Sequence, residues 1–451
     1  MLIPPSENRV ALTVLIYIGF SFISYPFIAF KYIHYFTYQL VSVLILGIVF
    51  LTLALNAKNR IYFDLKIGRP NLVNMTLVAY LLFLCILICS SFLSGSIDSI
   101  IDLMKVVVKV VFIIFALVLC PYLWLMRTLS VYSTFVALLS VGALLLFCFQ
   151  FMVDVQPLGY ISLDIVGKDS EERGFYLTGL FWDKAFIKFD GVQSFFRSQS
   201  FADEPGTFAF SILPALFYFL YVKRYSLAIL LLTTLLTTFS IGAFAAIFLV
   251  LVIVFLRNVF VLKKLSVRRI VIITAMVSTI LVGAVVVRAV VTDDSVMAYL
   301  MTKYDPDAEA GRGSFGVRAL GLLTDLEYVK GSALGAGAGG RHSPDRIGLG
   351  DVGYFNNLVE SGYLGAIFYL SFIAFILIIC VKNLVYSDHP LKLLHSKIVF
   401  VLMIAGLQRT AIDASLWGGI FLVMLLRTEN MFNARRITTN YPLTRLRGGQ
   451  P

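Results

Sequence analysis

The feature that most constrains this chain is a succession of apolar runs, most of about 20 residues, each long enough to cross the roughly 30 Å hydrocarbon core of a bilayer as a helix. They fall at 10–30, 35–56, 72–94, 106–126, 131–153, 207–222, 270–292 and 354–381, with two longer stretches at 226–256 and 398–426. Only 14% of residues are charged, against about 25% in soluble domains. With a hydrophobic fraction of 59% and a mean hydropathy of +0.89, the composition predicts an all-α polytopic integral membrane protein. The first run, to Phe30, is too long for a signal h-region and lacks a small-residue cleavage site, so it is expected to stay as a helix.

Loop charge sets the expected topology. The formal net charge is +11, and an excess of Lys and Arg in cytoplasmic loops accounts for it without a nucleic-acid partner. No basic stripe interleaves with aromatics as single-strand binders require. The loop "AKNRIYFDLKIGRPN" (57–71) is basic and is placed in the cytoplasm. Counting onward puts 94–105 outside, 127–130 inside and 154–206 outside. Both "VKRYS" (222–226) and "RNVFVLKKLSVRR" (257–269) must then be inside. The stretch 226–256 therefore crosses twice, turning near "FSIGAF" (239–244). The same logic splits 398–426 at "QRTAID" (408–413). Each half is short for a full span, so these turns are expected below the outer surface. Irregular backbone at that depth needs protein or a wet cavity around it.

The result is about twelve crossings with both termini cytoplasmic. The chain divides into N-terminal helices (1–153), a first outer loop (154–206), central helices (207–292), a second outer loop (293–353), C-terminal helices (354–427) and a basic cytoplasmic tail (428–451). Cys85, Cys89, Cys120, Cys148 and Cys380 all lie in apolar runs and read as buried thiols, with neither a disulfide nor a thiolate metal site.

The two outer loops hold the dense polar clusters. In "FFRSQSFADEPGTF" (195–208), Pro205 can open a helix, and Asp203 and Glu204 stand just before its positive end. Capping needs one carboxylate. The second can act as a general base or orient Arg197. The second loop carries Arg312 and Arg318 around a Gly-rich turn, then "GLLTDLEYV" as a short amphipathic helix. "GSALGAGAGG" follows, with no side chain to keep a ligand away. Arg341, His342, Asp345, Arg346 and Asp351 come next, and the chain re-enters the apolar phase with Asn356, Asn357 and Glu360. "GAGAGGRHS" lacks the lysine of a P-loop, and His342 has no second His or Cys nearby for zinc. Arginines beside Gly-rich backbone suit phosphate, which guanidinium holds in a bidentate fork. Snorkelling at the lipid interface is the competing account for these arginines, above all Arg346. Arg409 and Asp413, four residues apart in an apolar stretch, read as an intramembrane pair that is either functional or shapes the turn.

"VRALGLLTDLEYVKGSALGAG" (317–337), "YFNNLVESGYLGAIFYL" (354–370) and "FADEPG" (201–206) together resemble motifs of the bacterial polysaccharide polymerase and O-antigen ligase superfamily, Wzy and WaaL. The first is similar to its arginine, short amphipathic helix and G-x-G. The second is similar to its H-N-x-x-L-x-x-L-x-E-x-G-x-x-G helix start, and the third to the E-P-G helix start of repeat-unit polymerases. The resemblance covers roughly 195–380 and departs at two places. Asp351 stands where the ligases carry a histidine, and the aromatic after the first arginine is absent. Both departures favour a Wzy-like polymerase.

The resemblance implies a GT-C-like fold and an inverting glycosyl transfer that needs no metal and no cofactor, at the periplasmic face of the bacterial inner membrane. Donor and acceptor would be undecaprenyl-pyrophosphate-linked oligosaccharides, with a flippase and a Wzz-like chain-length regulator as partners. Arg197, Arg312, Arg318, Arg341 and Arg409 would meet the pyrophosphate. Glu204, Asp351 and His342 are the candidate bases, in that order, and Asn356 and Glu360 would orient their neighbours. The rival readings are an O-antigen ligase, whose acceptor is lipid A core, a flippase or transporter, for which no internal repeat between the halves is visible, and a noncatalytic export scaffold.

Overall fold

The computed structural model describes residues 71–119, 122–150, 152, 157–163, 171–176, 181–182, 186–189, 192–198, 200, 205–258, 325–340, 353–406 and 416–435. The expected spans at 10–30, 35–56 and 270–292 lie outside these residues, as does the tail beyond 435.

Among the described residues, α1 (Leu72–Leu93), α2 (Ile97–Leu119) and α3 (Tyr122–Phe149) precede the first excursion. Asn71 starts α1 in extended conformation, its Oδ1 accepting from the Val73 amide at 2.9 Å, so the cap satisfies a donor that the first turn leaves over. After the excursion come α4 (Pro205–Tyr221), α5 (Tyr225–Thr237) and α6 (Ile241–Leu256). A short helix at 325–331 precedes α7 (Gly353–Tyr386), α8 (Pro390–Gly406) and α9 (Leu416–Arg435). Among the described residues, three helices are long and apolar enough to cross a membrane: Leu72–Leu93, Leu125–Phe149 and Asn356–Tyr386. Their outward faces are apolar too, with Met75, Val78, Leu81 and Leu82 of α1 and Ile367, Leu370 and Ile378 of α7 exposed. Helices apolar on every side belong in lipid. The chain is a helical, membrane-embedded protein.

The core forms where α7 lies along α1. Tyr80 stacks on Phe372 at 4.5 Å between ring centroids and Phe83 on Tyr369 at 4.7 Å, and Phe83, Tyr369 and Phe372 are almost fully buried. On the other side α3 packs on α4 and α5, and α8 is held by α4, α6, α7 and α9. Buried Tyr132 donates to the Ser211 carbonyl at 2.8 Å, next to the carbonyl that Pro214 deprives of its helical partner.

Several boundaries differ from the sequence reading. The polar stretch 94–105 is not an outer loop, because α2 already begins at Ile97. Its charges become helical, and Asp102 and Lys105 pair one turn apart at 2.6 Å. Residues 127–130, expected as an inner loop, are likewise helical, within Tyr122–Phe149. At the far end α9 runs on to Arg435, so residues 428–435 are helix rather than tail, and Thr428 and Glu429 are buried. Cys380 is buried as expected, but Cys85, Cys89 and Cys148 are exposed, because they sit on outward helix faces where thiols meet lipid as readily as Leu does. The all-α expectation holds for the apolar segments. The first excursion adds two small antiparallel ribbons, β1 (Gly159–Leu163), β2 (Glu171–Tyr176) and β3 (Phe181–Trp182) in that order, and β4 (Phe186–Phe189) with β5 (Val192–Phe196). Residue pairs such as Phe175 opposite Trp182 and Phe186 opposite Phe196 explain them, since aromatic residues favour paired strands.

Connections of three residues at 94–96, 222–224, 238–240 and 387–389 make successive helices antiparallel. Arg257, just past α6, bonds Asp388 in the α7–α8 turn, so the C-terminal ends of α6 and α7 lie together. The start of α6 and the start of α7 therefore share the opposite end, together with the α1–α2 turn and the 331–340 loop, which touch the first turns of α7. Lys223, Arg224, Arg257, Lys382 and Lys392 lie at the first of these ends, here called the basic end. In a cysteine-free background, Gly331→Cys and Leu158→Cys should react with an impermeant maleimide from one side of the membrane. Lys223→Cys and Tyr386→Cys should react only from the other.

Candidate functional site

Two interruptions of helical structure define the end opposite the basic one. The first lies between α5 and α6, which at 13 and 16 residues span only about 20 and 24 Å. Thr238 and Ser240 are buried, and Phe239, half-buried between them, adopts a left-handed φ of 49°. The charge count asked for a turn near 239–244, and a helix break lies at 238–240. A helix end leaves carbonyls without partners, and in a water-poor setting each must find a donor. Arg197 supplies them: Nε and Nη2 donate to the Thr238 carbonyl at 2.9 and 2.7 Å, and Nη2 also reaches the Phe239 carbonyl at 3.1 Å. The Ser198 amide donates to the Thr237 carbonyl at 3.0 Å, and the Thr237 hydroxyl donates to the Ser198 hydroxyl at 2.8 Å. The first excursion thus seals the turn as it returns to the bundle. Arg197 is 9% exposed, and the Nε–Nη2 edge of its guanidinium faces backbone carbonyls, a capping task that the sequence did not reveal.

The second interruption is inside α7. Gly362 has φ 65° and ψ −170°, a conformation open essentially to glycine alone. There two helical hydrogen bonds are exchanged for bonds to the glycine-rich loop. The Val359 carbonyl accepts from the Ala336 amide at 3.0 Å, while the Tyr363 amide donates to the Ser332 carbonyl at 3.1 Å. The Glu360 carbonyl accepts from the Gly337 amide at 3.0 Å, while the Leu364 amide donates to the Ala333 carbonyl at 3.2 Å. Gly335 sits at the centre of this exchange. A Cβ on Gly335 would collide with the Gly362 amide, and one on Gly362 would collide with Gly335 and the Ser332 and Ala333 carbonyls.

The α1 terminus closes the assembly. The Ser90 hydroxyl donates to the Glu360 carbonyl at 2.9 Å, and the Ser91 hydroxyl accepts from the Ala338 amide at 2.9 Å. The Glu360 carboxylate, 7% exposed, accepts from the Gly339 amide at 3.1 Å. Asp102 of α2 approaches Gly339 so closely that a side chain there would strike its carboxylate.

These contacts correct one expectation. The stretch "GSALGAGAGG" lacks side chains because backbone of α7 and α1 presses against it, not because it lies open to a ligand. Its helical lead-in is as expected, with 325–331 helical and Asp325 and Val329 buried. Of the candidate residues, the structure brings Glu360 to the loop, places Asn356 on the buried face one turn earlier, and sets Arg197 at the same end of the bundle. Glu204, Arg312, Arg318, Arg341, His342, Asp351 and Arg409 lie outside the described residues. The residues missed from sequence are Ser90, Ser91 and Asp102. Ser90 and Ser91 were read as part of the apolar run 72–94, and Asp102 as part of an outer loop. Among the described residues no three His, Cys, Asp or Glu side chains gather as a metal set would. No protein-family model matches the chain, and no characterised protein is detectably similar to it in sequence.

Gly335→Ala and Gly362→Ala should each cost about 1–3 kcal/mol or more from forced backbone conformation and collision, whereas Gly331→Ala, with open space around it, should stay within about 0.5 kcal/mol of the parent. Arg197→Gln should cost about 1.5–3 kcal/mol through the lost charge-assisted bonds. Thermal melting of the purified protein in one detergent ranks all four.

Proposed function

We propose that this protein is a glycosyltransferase that polymerises undecaprenyl-pyrophosphate-linked oligosaccharide repeat units at the periplasmic face of the bacterial inner membrane. The observation that supports this reading is the locking of the glycine-rich loop into the break of α7, on a buried glutamate and at the same end as Arg197. Arg341 and His342 follow Gly340 directly in sequence, so the chain leaves this rigid clasp with a cation and a titratable group. Sites of this kind need pre-positioned donors where negative charge develops.

In the proposed reaction the acceptor hydroxyl oxygen attacks the anomeric carbon of the donor glycan from the face opposite the pyrophosphate. The new glycosidic C–O bond forms as the bond to the pyrophosphate oxygen breaks. That oxygen leaves with the electron pair, and the acceptor proton passes to Glu204, with Asp351 and His342 as the other candidate bases. Arg312, Arg318, Arg341 and Arg409 would neutralise the departing diphosphate. Arg197 and Glu360 would act as positioning residues, Arg197 through the α5–α6 turn and Glu360 through Gly339. Inversion follows from the single displacement.

Purified protein in liposomes should elongate lipid-linked repeat units without an ion gradient. Arg312→Ala and Arg318→Ala should abolish polymer while leaving melting unchanged, and Glu204→Gln should slow elongation by about 10²–10⁴-fold. A deletion strain should lose only the longer bands of its polymer ladder. Loss of every band on lipid A would instead identify a ligase, and gradient-driven movement without elongation would identify a transporter.

A further inference from the structure

The basic end of the bundle holds a charge arrangement that the proposed chemistry does not use. Arg257 follows the last turn of α6 and faces the connection between α7 and α8. It is 8% exposed, and its Nη2 donates to Asp388 Oδ1 at 2.6 Å, while its Nε is buried and has no hydrogen-bond partner. Asp388 itself is a solvent group, its side chain 84% exposed. Lys397, two turns into α8, is half-buried on the helix that packs against α6. The neighbouring carboxylate is already committed: Glu429 of α9, 3% exposed, is met by Lys392 at 2.9 Å, by Lys382 at 3.7 Å and by the Asn383 amide at 3.2 Å.

Two cations thus stand on helices that pack together, and among the described residues the carboxylate that meets Arg257 is one exposed aspartate. Removing charges from water costs several kcal/mol per ion unless a counterion and hydrogen bonds compensate. The Nε–Nη2 edge of a guanidinium is suited to two oxygens of one phosphate, and here only half of that edge is occupied, by a side chain free to swing outward. Exposed apolar side chains, Leu256, Val381 and Tyr386, also lie at this end. A free phosphate has no use for such a surface, whereas the acyl chains of a lipid would cover it.

We propose that Arg257 and Lys397 bind the phosphate of an anionic membrane lipid at the basic end of the bundle. The lipid phosphate takes the Arg257 Nε and the Lys397 ammonium, displacing Asp388 or sharing Arg257 with it. The site is independent of the glycosyl-transfer reading and stands at the opposite end of the protein.

The test uses the full-length protein in neutral detergent, with dioleoyl-phosphatidylglycerol, dioleoyl-phosphatidylcholine and inorganic phosphate as probes. Native mass spectrometry reads retained lipid, and the melting temperature reads stabilisation. Phosphatidylglycerol should bind about tenfold more tightly than phosphatidylcholine, a difference of about 1.4 kcal/mol. Arg257→Gln and Lys397→Met should each erase that preference. Lys223→Gln, an exposed cation at the same end, should retain it. Asp388→Asn removes the competing carboxylate from an exposed position and should tighten phosphatidylglycerol binding several-fold, so the site is also read in a variant that leaves both cations in place. Equal binding of the two lipids overturns the proposal, as does Lys223→Gln losing as much as Arg257→Gln. Weaker binding in Asp388→Asn also overturns it. Stabilisation by inorganic phosphate equal to that by phosphatidylglycerol would identify a free-anion site and overturn the lipid assignment.

Discussion

The constraint on which the rest of the structure depends is that a helix broken inside an apolar phase must find new partners for every backbone group it releases. Water does not serve there, and an unpaired amide or carbonyl costs several kcal/mol. Among the described residues, this protein breaks its helices twice near one end and answers each break with a segment from elsewhere in the chain. At the α5–α6 turn the answer is a side chain, the Arg197 guanidinium across two carbonyls. At Gly362 it is backbone, with Ser332 to Gly337 taking over the donors and acceptors that α7 gives up.

The two answers have different consequences. A guanidinium cap is strong but local, and it fixes how the first excursion rejoins the bundle just ahead of α4. The backbone exchange is more demanding, because two chains must approach to within the width of a glycine on both sides. It ties the second excursion, α7 and the end of α1 into one unit, with the buried Glu360 carboxylate facing an amide of the loop. Rigid support of this kind precedes any precise chemistry. The same economy of partners explains the far end, where Glu429 gathers Lys382, Lys392 and Asn383 while Arg257 is left with an exposed aspartate.

Much of the fold was legible before the structure. Apolar run length gave α1, α4 and α7 to within a few residues, and alternation of loop charge demanded a turn inside 226–256 that length alone would have missed. The errors share a cause. Residues 97–105 were read as a loop because Asp98, Asp102 and Lys105 are charged, yet a helix can carry such residues and pairs Asp102 with Lys105 one turn apart. The exposed Cys85 and Cys89 were misjudged because lipid removes the link between apolar and buried. The strands at 159–196 were overlooked because the excursion was read for its charges rather than for its spaced aromatics.

The sequence by itself determined that this chain lies in a membrane, where most of its helices run, which end is basic and which residue types crowd the other end. Those properties depend on transfer energies that add along the chain, so they survive without knowledge of contacts. The tertiary structure alone decided that Arg197 caps a turn, that the glycines of 331–340 are spacers against α7 rather than an open cradle, and that Ser90, Ser91 and Glu360 meet there. Each of these is a hydrogen bond between groups far apart in the chain, 270 residues for Ser90 and Glu360, and no local pattern encodes which distant partner a polar group will find.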